Sequence, residues 1–124
     1  MSQRKEMAVS FLKMAATGDV RAAYDKFIAP DFIHHNPHFK GDRQSLMTAM
    51  EQASRATPNK TLEVRQAFED GDHVITYSRV VRKDPAAAEI AVVHMFRFAG
   101  DRVAELWDVG AELPEDSPNE NGAF

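Results

Sequence analysis

Cysteine is absent from the 124 residues, which excludes disulfides, thiolate nucleophiles and cysteine-type zinc sites together. Long apolar runs are absent too. The opening stretch MSQRKEMAVSFLKMAATGD mixes charge into its apolar residues and offers neither a signal-peptide core nor a membrane span. Clustered positive charge is missing: the net charge is −4 and the basic residues are scattered. That leaves no electrostatic footprint for nucleic acid and no basic helix suited to a membrane surface. There is no glycine-rich phosphate loop, no GxSxG elbow, no HExxH and no paired-carboxylate spacing. The expectation is therefore a cytoplasmic protein with neither a nucleic-acid nor a membrane partner and without a recognisable cofactor motif.

What is present suits a water-soluble domain with a real core: 44% of residues are hydrophobic and 27% charged. We expect one domain over 1–124, with an extended tail over 113–124 rich in Pro, Glu, Asp and Asn. Met7, Phe11 and Met14 repeat at helical spacing, and Gly18 and Asp19 read as a stop and the next cap. A second helix is expected from about Val20 to Ile28, ended by Pro30. Asp31 to His38 reads as a brief extended piece leading into a loop. Asp42 caps a third helix with Leu46, Met50 and Ala53 on its buried stripe, closed by Thr57-Pro58-Asn59. The period then becomes alternating. Leu62, Val64 and Phe68 are expected on one strand face; Asp70-Gly71-Asp72 turns the chain into a strand from His73 to Lys83. Asp84-Pro85-Ala86 is a loop, Glu89 to Phe98 a third strand, Gly100-Asp101 a turn, and Arg102 to Val109 a fourth strand. Three N-terminal helices packed on a curved antiparallel sheet make an α+β cone, whose mouth is a natural pocket.

Three places could carry chemistry. Asp108 is a carboxylate late in an apolar strand; facing an apolar cavity it is a usable acid or base, facing out it is a solvated or Arg97-paired group. Strand alternation puts Asp108 with Leu106, and Trp107 on the opposite face. His34, His35 and His38 form a cluster in which adjacent rings point opposite ways. They read as loop histidines bonded to backbone, as His35 and Asn36 orienting a ligand at the rim, or as metal ligands completed by His73 or His94. His94 shares a strand face with Ile90 and Phe96 and reads as a core residue or as a proton carrier paired with Asp108 across strands.

The order of these elements, the segment Phe32-Ile33-His34-His35-Asn36-Pro37 and the stretch from Phe96 to Val109 resemble the SnoaL-like polyketide cyclases of the NTF2-like superfamily. The ending Asn119 to Phe124 is similar to that of a subgroup described as predicted aldol-condensation enzymes. The resemblance implies an NTF2-like cone, a homodimer packed through the outer sheet face, and acid–base chemistry without a cofactor. It implies Asp108 as the proton-handling group, with His94 or His35 bonding the developing enolate. Asn36, Phe27, Phe96 and Leu106 would be substrate-binding groups. His34, His94 and Leu106 depart from the subgroup's usual glutamine, aspartate and histidine at those places. The alternative function is a non-catalytic ligand-binding or dimerisation module on the same fold.

Overall fold

Apolar residues at helical spacing build α1 (Gln3–Ala16), which buries Ala8, Phe11, Leu12, Ala15 and Ala16, in a computed structural model that describes residues 3–58, 60–83 and 87–124. Its end is a Schellman arrangement: Asp19 N–H donates to the Met14 carbonyl (2.9 Å) and Gly18 N–H to that of Ala15 (3.2 Å), with Gly18 at φ +99°. α2 (Val20–Phe27) follows at once. Asp19 precedes it but makes no side-chain cap, contrary to expectation; only its carbonyl accepts, from Ala23 N–H at 3.0 Å. α3 (Arg43–Ala56) does carry the expected cap, with Asp42 Oδ2 accepting from Ser45 N–H at 3.1 Å. Hydrogen bonding from Ser45, through its hydroxyl first and its N–H second, holds the Asp42 carboxyl below the usual carboxylate range.

Pro30 does not end the second helix. The chain leaves helical geometry at Ile28 and runs directly into β1 (Ile28–His34), which contains the proline. β1 tolerates it as an edge strand whose pairing is interrupted between Ile28 and Ile33. The sheet is completed by β2 (Lys60–Asp70), β3 (His73–Arg82), β4 (Ile90–Ala99) and β5 (Arg102–Glu112), in spatial order β1-β5-β4-β3-β2. Neighbouring pairs from β2 to β5 are antiparallel, but β1 lies parallel to β5. The sheet is therefore mixed and five-stranded rather than antiparallel and four-stranded. Asn59 and the Asp84-Pro85-Ala86 loop lie outside the described residues.

Bulges re-aim side chains along the strands. One between Val64 and Gln66 puts Ala67 inward and leaves Phe68 57% exposed, so Phe68 does not share the face of Leu62 and Val64. A second, between Arg97 and Phe98, lies on the β4–β5 pair. The inner face carries Val74, Thr76 and Ser78 of β3 and Val92, His94 and Phe96 of β4. It packs on the helices around Phe11, Tyr24, Phe27 and Phe96. At the hairpin end, Arg4 of α1 donates to the carbonyls of Gly71 (3.4 Å) and Gly100 (3.1 Å), tying the helix to both turns.

Gly100 holds φ +63° as the first residue of the two-residue β4–β5 turn, a place that disfavours any Cβ, although nothing lies within 4 Å of where one would stand. Gly100→Ala should cost about 1 kcal/mol through backbone conformation alone. Urea unfolding checks this: an unchanged midpoint would show that the turn relaxes freely.

Candidate functional site

Cross-strand register assembles the site. His94 of β4 stands directly opposite Asp108 of β5 and, on its other side, opposite Thr76 of β3. The three form one polar row across the inner face. Arg97, the alternative partner for Asp108, instead bonds Glu105 at 2.9 Å on the outer face. Asp108 Oδ2 accepts a 3.1 Å hydrogen bond from Asn36 Nδ2, delivered by the loop after β1. The Asn36 side-chain oxygen accepts from His38 N–H at 3.0 Å, which fixes the amide's orientation and leaves its NH₂ for the carboxylate.

His94 borders two neighbouring chambers, and Asp108 borders one of them. One, of about 190 Å³, is bounded by Asp108, Asn36, His94, Leu106 and α3 residues including Met50. The other, of about 250 Å³, shares His94 and Met50 and extends along Leu62, Val80 and Ile90 to Lys60. Outside them a wider vestibule of about 570 Å³ opens under the loop bearing His35 to His38, and Asp108 and Asn36 border it as well. Asp108 thus stands at the threshold between mouth and interior.

Burial sets the charges. It pushes the His94 imidazole down to about 4 against the opposing pull of Asp108, so the ring is neutral at pH 7. Its Nδ1 is sealed from solvent without a partner, as are the hydroxyls of Thr76 and Ser78. Burial also lowers His34 and raises the Tyr24 phenol, and both groups lie within the electrostatic reach of Asp108.

The expected site residues do not all converge. Asp108, His94, Asn36 and Leu106 meet at the smaller chamber. Phe27, at the end of α2, and Phe96, on β4, are buried in the core between helices and sheet and do not line it. His35 departs from its expected role on the enolate: it leaves the sheet on the outer side, stacks on Trp107 at 4.8 Å and 6°, and meets Glu105 at 2.6 Å. The inward histidine is His34, 5% exposed, whose Nδ1 accepts from Asn36 N–H at 3.1 Å. Its proton therefore sits on Nε2, a buried donor without a partner. Alternation predicts one ring in and one out, but not which. Thr76, the third member of the row, was also missed, because polarity alone reads it as an outward position. Among the described residues no group of three or more His, Asp or Glu side chains could hold a metal ion, and His35 and His38 do not form one with His73 or His94.

Residues 8–106 match the model of the SnoaL-like domain. A proposed polyketide cyclase from Acidithiobacillus ferrooxidans superposes with a TM-score of 0.76 at 21% identity, over 88% of each chain. AclR, a proposed hydroxylase from Streptomyces galilaeus, gives 0.75 at 20% identity over 90% of each. An NTF2-like protein from Cytophaga hutchinsonii gives 0.70 at 15% identity, over 90% of this chain and 92% of that one. The fold is NTF2-like, and the names attached to it differ in chemistry. No curated protein matches. Among the described residues no helix is long and apolar enough to cross a membrane.

Proposed function

Since the chain belongs to the SnoaL-like domain family, we propose that its cone performs acid–base catalysis with its own side chains on a small carbonyl-containing or cyclic organic substrate, of the aldol or isomerase type. The observation that carries this reading is the pairing of the Asp108 carboxylate with a neutral His94 on one inner-face row, at the wall of an apolar chamber.

The carboxylate of Asp108, held by Asn36, takes a proton from the carbon next to a carbonyl. The C–H pair becomes the C=C bond of the enolate, and the carbonyl π pair moves onto oxygen. A neutral imidazole N–H from His94 bonds that oxygen without a competing charge, which is where such a site gains most over water. The enolate carbon then attacks a second carbonyl within the substrate, or, where a further C=C is conjugated with the enolate, the resulting dienolate takes the proton back at its γ-carbon. In either case the proton on Asp108 returns to the product, and the carboxylate is restored. The direct test is proton–deuterium exchange next to the carbonyl, followed by NMR over a panel of cyclic ketones and β-keto esters. Exchange dependent on Asp108 supports the reading; tight binding with no exchange makes the cone a ligand-binding module.

The same reading includes a cytoplasmic homodimer joined through the outer sheet face. Supporting it, Val93 (40% exposed) and Val109 (75%) stand opposite one another on that face beside Tyr77, with Ile75, Met95 and Trp107 in the next row. Val93→Asp should convert a dimer to a monomer in sedimentation at micromolar concentration with the fold retained. A wild-type monomer under those conditions would remove this part of the proposal.

A further inference from the structure

Lys60 lines the larger chamber at the end away from Asp108, on the inner face with Leu62 and Val80. Its cross-strand partner is Arg82, so two cations face each other directly, an arrangement that destabilises a sheet unless something compensates. Arg82 turns one guanidinium nitrogen elsewhere, to the Ala88 carbonyl at 2.8 Å and to Glu112 at 3.4 Å, while its Nε is buried without a partner among the described residues. Lys60 has no partner among the described residues, and burial lowers its ammonium below the usual lysine range. The same chamber is bordered by His94, whose Nδ1 is sealed and unpartnered. A largely apolar chamber with the Lys60 cation at one end and His94, the cross-strand neighbour of Asp108, at another border suits a molecule with two different ends.

We infer that Lys60 anchors a carboxylate at the far end of the substrate, so that the cone accepts acyl or keto acids whose anionic group lies several carbons from the reacting centre. This rests on the acid–base reading above for the identity of the other end, but the anchor itself is a binding property. An ammonium–carboxylate bond in a partly desolvated site is among the stronger hydrogen bonds, worth about tenfold or more in affinity over a neutral amide.

The probe is octanoate, compared with octanamide, which has the same chain and no charge. Calorimetry on the wild type should give octanoate about tenfold tighter binding. Lys60→Met, which keeps the stem, should erase that preference while leaving octanamide unchanged, and Lys60→Arg should retain it. Asp108→Asn should keep the preference, so a failure of the catalytic reading leaves this result standing on its own. Equal affinity of the two probes for the wild type, no binding of octanoate at millimolar concentration, or an undiminished preference in Lys60→Met overturns the inference.

Discussion

Asp108→Asn should lower kcat for proton exchange by a factor of about 10² to 10⁴, the usual worth of a positioned general base. Asparagine has nearly the same shape, and its side-chain oxygen can still accept from Asn36, so the fold should survive with a melting temperature close to wild type. Among the described residues Asp108 makes no ion pair that the substitution would break; the carboxylate in the nearby network is Glu105, shared between Arg97 and His35. Because the lost interaction belongs to the transition state, kcat and kcat/KM should fall together while KM changes little. His35→Ala is the matching control. Its ring lies on Trp107 outside the cone, so turnover should stay within a few-fold of wild type. Full activity in Asp108→Asn, or a collapse in His35→Ala comparable to that of Asp108→Asn, would move the base away from the inner face.

The helices were legible because apolar spacing and punctuation agree: Gly18 ends one helix and Asp42 caps another as chemistry requires. β1 was not legible. A proline two residues into it and a polar end argue against a strand, and the partner that makes it one lies far away in sequence, at Val103 to Leu106. Local pattern cannot carry a parallel pairing of that separation. Phe68 fails for a different reason, since one inserted residue reverses every later side chain on that strand. The site shows the same division. Asp108 and His94 follow from alternation along two regular strands, and their register makes them meet. His34 and His35 obey alternation as a pair, but which of them enters is decided by where β1 docks against β5, information held in neither residue. Thr76 and Ser78 look like outward positions by polarity and are buried all the same, because Val74 sets the face they share. Polar groups placed inward against the hydrophobic pattern are what a functional or strained site is expected to show.

The second large effect concerns His94 and acid. Its folded state titrates at about 4, whereas the unfolded chain takes up that proton near 6.5. Between those values the unfolded state binds more protons than the folded one, so stability is full above pH 6.5 and declines as the pH falls towards 4. Each unit of displacement corresponds to about 1.4 kcal/mol, which makes this limb on the order of 3 kcal/mol. His94→Leu should remove it: at pH 7 the variant should be as stable as wild type or more so, since a sealed, unpartnered nitrogen gives way to an apolar group. Its advantage should widen as the pH is lowered. The residual slope should come from His34, which burial shifts in the same direction, and from Asp42 and Glu105 at lower pH. Turnover should move the opposite way, falling by about 10² with loss of the enolate's hydrogen-bond donor. Urea unfolding at several pH values between 7 and 4, with exchange rates measured on the same samples, checks both halves. Parallel stability curves for the two proteins would show that His94 titrates normally in the folded state, and a variant that exchanges as fast as wild type would remove it from the chemistry. A residue that costs stability in acid and is repaid only in turnover is what the acid–base reading requires of His94, and a ligand-binding module has no use for it.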